Sequence, residues 1–388
     1  MIQLSHKTAG FTDSVIRRMT RICNQYGAVN LSQGFPDFDP PLEIQKRLEQ
    51  VALTGPHQYA VTWGALNTRC ALADKIKADT ALNVDPESEL VITCGGTEAM
   101  MCAVLATLNP KDKVAIFSPF YENYGADVIL AGATPIFVEL HSPDFTFDKK
   151  ELEQAFKDGA KALILNNPSN PSGKVFTKEE LMTIAQIVIK YDAFVITDEV
   201  YEHIVYDESE HIYFATLPDM RARTVMCNSL SKTYSITGWR LGYVMAPSKV
   251  IDRVRKVHDF LTVGAAAPLQ EAIVSGLTLA RSYYEGIRKL YEGKRSLFLK
   301  GLDDLGLKYF KPQGAYYVLV DISEFNYEDD LEFCTDLARL VKVGAVPGSS
   351  FFADGTRNYI RFHFAKKDET LRAALLNLST LREKISRR

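Results

Sequence analysis

The sequence predicts an α/β fold, a mainly parallel sheet covered by helices, and three observations predict it. From about residue 89 to 247, apolar runs of strand length alternate with helical patterns. The runs are almost continuously hydrophobic, as strands buried on both faces must be. Polar residues gather where several of those runs stop.

The candidate strands are "ELVITCG", "KVAIFS", "TPIFVEL", "ALILNN", "AFVITDEV", "TVMCNSL" and "RLGYVMA". One unit can be read closely. After "ALILNN", Thr177 stands three residues before Glu180, a capping-box spacing. Leu181, Ile184, Ala185 and Val188 then follow a helical stripe, and "AFVITDEV" resumes a strand. The two strands end in Asn166-Asn167 and Asp198-Glu199. Open α/β sheets place their ligands at the carboxyl ends of such strands. The C-terminal part reads differently: "GAYYVLVDIS" and "NYIRFHFA" as strands, "DETLRAALLNLSTLREKI" as one closing amphipathic helix. The expected organisation is a large α/β domain over residues 45–285. A small α+β domain would combine residues 1–44 with 286–388.

Bulk properties narrow the function. A chain of 388 residues exceeds one compact core, and 46% hydrophobic with 24% charged residues is ordinary for a globular enzyme. A net charge of −3 leaves no basic footprint for nucleic acid or an anionic membrane. No apolar run approaches the roughly 18 residues that span a bilayer, and "MIQLSHKTAGF" lacks a secretory core. The six cysteines (Cys23, Cys70, Cys94, Cys102, Cys227, Cys334) form no CxxC pair, so reduced thiols in the cytoplasm are expected. The seven histidines show no metal-ligand spacing, so no metal is expected.

Candidate chemistry sits at the strand ends. In "NSLSKTYSITGWRLGYV", Lys232 lies among Ser229, Ser231 and Thr233, with Arg240 downstream. Gly95, Gly96 and Thr97 lie between a strand and a helix start, where backbone N–H groups can approach an anion; a plain tight turn explains them equally well. Asp198 ends a hydrophobic strand, where a carboxylate needs a cation or donor, unless it only caps the next helix. Tyr201 follows one turn later. Pro168 and Pro171 can present the Asn170 amide stiffly, although most such stretches are only loops. Phe120, Tyr121 and Tyr124 offer aromatic faces, for which core packing is the bland reading. Arg361 interrupts an aromatic strand and wants a carboxylate, structural or a substrate's. Together these supply a nucleophilic lysine, an acid, a phenol, an amide, a phosphate cradle and two arginines. Pyridoxal 5′-phosphate needs such a set.

"LSQGFPDFDPP", "HQYA", "NNPSNPSGKVF", "ITDEVYEHIVYD", "SLSKTYSITGWRLGY", "PQGAYYVLVDISEF" and "YIRFHFAKKDETL" occur in that order. On these motifs the chain resembles the class I/II pyridoxal-phosphate-dependent aminotransferases of the aspartate aminotransferase fold (fold type I). It is most similar to the kynurenine aminotransferase and glutamine transaminase K branch. The resemblance implies that Lys232 bonds the cofactor aldehyde and then moves the proton between substrate Cα and cofactor C4′. It implies that Asp198 keeps the ring nitrogen protonated and that Tyr201 and Asn170 donate to the ring's phenolate oxygen. Tyr121 would stack on the ring. Gly96, Thr97, Ser229 and Arg240 would hold the phosphate, and Tyr59 would reach the phosphate of the neighbouring subunit in a homodimer. Arg361 would grip the substrate α-carboxylate, assisted by Asn170 and the backbone around Gly34.

The implied reaction moves an amino group between an L-amino acid and a 2-oxo acid (2-oxoglutarate or pyruvate) by ping-pong chemistry. Aromatic, methionine, glutamine or kynurenine-type donors are expected. The alternatives are β-elimination of C–S bonds on the same fold, or an aspartate or diaminopimelate-type donor. Glu98 beside the phosphate turn would disfavour an acidic substrate, and Val263-Gly264 would leave a more open pocket than the kynurenine branch has. A regulator that keeps the fold without turnover is disfavoured, because Lys232 and Asp198 are both present.

Overall fold

The structure is a computed structural model that describes residues 4, 6–9, 11 and 13–385. The outermost parts of the expected small domain, residues 1–3, 5, 10, 12 and 386–388, lie outside the described residues.

Eight strands form the main sheet. Their spatial order is Leu90–Thr93, Gly242–Met245, Thr224–Ser229, Phe194–Asp198, Ala160–Asn166, Lys113–Ser118, Thr134–His141 and Thr146–Phe147. The five strands from Thr224–Ser229 to Thr134–His141 pair in parallel. Gly242–Met245 runs antiparallel to both its neighbours, and Thr146–Phe147 is an antiparallel edge. The sheet is therefore mixed but mainly parallel. Thr224–Ser229, Gly242–Met245 and even the edge strand Leu90–Thr93 are buried at every residue, whereas Thr134–His141 near the other edge is partly exposed.

The strand–helix–strand unit shows how the sequence sets this up. Thr177 accepts the N–H of Glu180, and Glu180 accepts the N–H of Thr177, starting the helix Lys178–Lys190. Leu181, Ile184, Ala185 and Val188 are buried and pack with Leu163, Leu165 and Val195 of the sheet. In register, Asn166 faces Asp198 and Asp198 faces Cys227, so the polar strand ends align.

A second core joins the N-terminal helix Val15–Tyr26 to the C-terminal region, through Met19, Leu31, Phe298, Phe333 and Phe362. Its three-stranded antiparallel sheet has Tyr359–His363 between Tyr317–Asp321 and Val346–Pro347. Val29–Asn30 pairs in parallel with Val343–Gly344. The closing helix is two pieces, Asp368–Leu378 and Leu381–Lys384. At the break, the hydroxyls of Ser379 and Thr380 bond back to the carbonyls of Leu376 and Asn377, competing with the helix ladder. Among the described residues no helix is long and apolar enough to cross a membrane.

Thr177→Ala should remove one half of the capping box and lower stability by about 1 kcal/mol. The midpoint of urea unfolding checks this; an unchanged midpoint would show that tertiary packing alone holds the helix start.

Candidate active site

The carboxyl ends of the parallel strands open into a cavity of about 530 Å³ that also touches the second sheet. Its walls include Gly34, Gly96, Thr97, Tyr121, Asn170, Asp198, Tyr201, Ser229, Lys232, Arg240 and Arg361. All but one of the residues to which the resemblance assigns cofactor or substrate roles thus converge. The exception is Tyr59, which is 87% exposed and stands outside these walls.

Asp198 is the last residue of its strand and is buried. Its Oδ2 accepts the Tyr124 hydroxyl at 2.7 Å, and its Oδ1 accepts the Val200 N–H at 3.3 Å. Burial raises its proton affinity; the Tyr124 hydroxyl, the Val200 N–H and the nearby Lys232 oppose the rise. Asn166, one strand over, donates Nδ2 to the Asp198 carbonyl at 2.9 Å and accepts the Asn170 N–H at 2.7 Å. One asparagine thereby fixes both the acid's backbone and the start of the Asn170 turn.

Lys232 lies in the short helix Leu230–Thr233, which Ser229 caps by accepting the Ser231 N–H. Its Nζ donates to the Gly34 carbonyl at 3.0 Å. Burial pulls its pKa below the ordinary lysine value; Arg240 and Arg361 lower it further, while Tyr317 and Asp198 oppose them. The Ser231 hydroxyl, also on the cavity wall, is buried without a partner.

Arg361 sits mid-strand and is only 1% exposed. It donates to the Asn170 side-chain oxygen at 2.6 Å and to the Ser32 carbonyl at 2.9 Å. Its guanidinium stacks on Tyr317 and Phe351, and its Nε is buried without a partner. Among the described residues no carboxylate forms an ion pair with it. A buried cation without a counter-charge is costly, so this site is built for an anion from outside the chain. Nearby, the Gly34 carbonyl accepts from Lys232 and from the Tyr316 hydroxyl.

At the other end, the helix Gly96–Thr107 starts without a side-chain cap, leaving the N–H groups of its first turn available to an anion. Gly95 has φ 86°, and a Cβ there would come within 2.8 Å of the Arg240 guanidinium carbon, so only glycine lets Arg240 lie against the turn. Arg240 has φ 56° and donates to the Thr237 carbonyl at 2.9 Å.

Tyr201 is buried, and its hydroxyl is 2.9 Å from that of Tyr317 on the second sheet, both rings lying in the second core. Glu98 corrects an expectation. It lies outside the cavity walls, and its carboxylate is engaged by His258, Thr262 and the Cys94 N–H. It cannot repel an acidic substrate from there. Val263 and Gly264 also stand outside these walls. Glu98, Cys102 and His258 bring potential metal-ligand atoms within 4.8 Å of one another, but both ring nitrogens of His258 already have partners.

Sequence reasoning missed the roles of Tyr124, Asn166, Tyr317 and Asp127. For Asn166 the signal was the matched polar strand tips; for Asp127 it was a lone acid in the apolar run "YGADVILAG". Asp127 lines the cavity and is 4% exposed, with Oδ2 lacking any partner. Burial, with the neighbouring Asp198 charge, pushes its pKa up to about 7.

A carboxyl raised in the folded state stabilises at low pH and loses that contribution as pH rises through its folded value. The ligand-free protein should therefore lose stability between about pH 4 and about pH 7 through Asp127. Asp127→Asn should flatten that slope and be the more stable protein near pH 8, by on the order of 2 to 4 kcal/mol. Denaturant titrations across this range check it, and parallel pH profiles for the two proteins would reject it.

Comparison with known proteins agrees with this geometry. The family described as aminotransferase class I and II matches residues 26–378. The methionine aminotransferase of Escherichia coli is 35% identical, over 95% of this chain and 96% of its own length. Human kynurenine–oxoglutarate transaminase 3 is 34% identical, over 94% of this chain and 87% of its own. The solved structure of N-succinyldiaminopimelate aminotransferase from Mycobacterium tuberculosis superposes with a TM-score of 0.94 at 34% identity, covering 98% of this chain and all of that one (100%). The chain belongs to the class I and II aminotransferases, enzymes that depend on pyridoxal 5′-phosphate.

Proposed function

We propose that this aminotransferase takes aromatic amino acids, methionine, glutamine or kynurenine-type donors and passes the amino group to 2-oxoglutarate or pyruvate. The reading is carried by one observation: a desolvated Lys232, a buried Asp198 and an acid-free, buried Arg361 share one cavity. The relatives named for methionine and kynurenine support the choice of donors.

The cavity fits the cofactor on its own chemistry. It offers an amine, a carboxyl, an uncapped helix start beside an arginine, and a buried hydroxyl on Ser231 without a partner. When bound, pyridoxal 5′-phosphate supplies an aldehyde that bonds amino groups and a ring that withdraws electrons from the carbon being deprotonated. Gly96, Thr97, Ser229 and Arg240 would hold its phosphate. Asp198, whose burial and Tyr124 bond fix one orientation, would hold a proton on the ring nitrogen. Tyr201 and Asn170 would donate to the phenolate oxygen, and Tyr121 would cover a ring face.

Lys232 would hold the aldehyde and later carry the proton between Cα and C4′. Its lowered pKa gives more neutral amine near neutral pH, as both tasks require. Arg361 would take the α-carboxylate in a two-pronged grip with help from Asn170 and the Gly34 backbone, which fixes where Cα lies relative to the Lys232 amine.

We also propose a homodimer in the cytoplasm. Tyr59, Val61, Phe260, Leu261 and Val263 are exposed, a set of apolar groups that a second copy would cover, with Tyr59 reaching the partner's phosphate. Residues 45–285 would form the large cofactor-binding domain, and 1–44 with 286–388 the small one.

Lys232→Ala should abolish the first half-reaction with every donor, followed by absorbance of the cofactor; a surviving half-reaction would remove Lys232 from its role. Arg361→Met should raise the KM of all amino donors roughly 100-fold, since it deletes a buried charged grip. Turnover that depends on an added 2-oxo acid supports amino transfer, whereas pyruvate and ammonia released without one would assign β-elimination.

A further inference from the structure

Behind the phosphate turn, outside the cavity, His258 of the helix Ser248–Thr262 is fully buried. Its Nε2 lies 2.8 Å from the carbonyl oxygen of Thr62, and its Nδ1 lies 2.8 Å from Oε1 of Glu98. A carbonyl oxygen can only accept, so Nε2 carries a proton. Glu98 also accepts the Thr262 hydroxyl on Oε1 at 2.8 Å and the Cys94 N–H on Oε2. Burial alone would push the Glu98 carboxyl up, but the bonds from His258 and Cys94 outweigh it and hold the carboxyl below its ordinary value.

We propose that Glu98 and His258, buried against each other, position the phosphate turn. The pair joins three segments distant in sequence. Cys94 immediately precedes the Gly95-Gly96 turn. Thr62 follows Tyr59 by three residues. Thr262 ends its helix next to Val263, whose φ of 66° is a left-handed conformation that a β-branched residue rarely adopts. Glu98 thus ties the start of the phosphate helix to a strained corner, and His258 ties both to the Tyr59 segment. His258 and Glu98 touch neither substrate nor cofactor in this scheme; they act through the turn. The inference rests on assigning the Gly96-Thr97 turn to the cofactor phosphate.

The test has independent parts. Glu98→Gln should weaken binding of pyridoxal 5′-phosphate to the ligand-free protein roughly tenfold, and the milder Thr262→Val roughly threefold. The turnover number at saturating cofactor should stay within about twofold. Unchanged cofactor affinity in both variants would overturn the positioning role. Competition between inorganic phosphate and the cofactor in the wild-type protein reads the turn's assignment separately. Its absence there would remove that assignment and the inference with it.

Discussion

The parallel pairing of Ala160–Asn166 with Phe194–Asp198 is the constraint on which the site depends. It sets Asn166 beside Asp198, and from Asn166 a chain of hydrogen bonds runs through Asn170 to Arg361 on the second sheet. A one-residue slip in that pairing would turn every side chain to the other face of the sheet and break the chain at its first link. The strand pairing therefore places the acid and Asn166, and side-chain bonds carry that placement on to the amide and the guanidinium.

The charges gathered there do not balance within the protein. Asp198 and Asp127 are two buried carboxyls, one tied to Tyr124 and one with an oxygen left unpartnered. Lys232 and Arg361 are cations held away from water without an ion pair to an acid among the described residues. Each of these burials costs stability unless something satisfies it. A zwitterionic ligand and a phosphate-bearing cation-seeking ring would relieve several of them at once, which is why the site reads as built around absent chemistry and not as a packing accident. The surrounding aromatic rings, Tyr317 and Phe351 against Arg361 and Tyr316 near Lys232, keep water out while tolerating a cation on their faces.

Much of this was legible in the residues because the fold puts chemistry at strand ends, and strand ends are visible as polar letters after apolar runs. The capping box at Thr177 and the buried stripe of its helix appear as the spacing predicts. What stayed hidden depends on which way a side chain turns. Glu98 follows the Gly96-Thr97 turn by one position, yet the helical advance swings it away from the cavity, onto His258. Tyr124 looked like one more core ring, and only the folded chain brings its hydroxyl to Asp198 across 74 positions of sequence. The antiparallel direction of Gly242–Met245 was equally silent, since a fully buried strand reads the same either way.

That antiparallel strand has a consequence for how the gene could tolerate length changes. Lys232 and Arg240 lie on one connection whose two ends, Ser229 and Gly242, are directly paired. The ladder on either side acts as a ruler, so their spacing cannot drift by side-chain adjustment. An inserted or deleted codon between positions 230 and 241 would have to be absorbed inside that connection, displacing one cationic group relative to the other. The same change in a surface stretch such as Glu208–Glu210 would meet no such gauge.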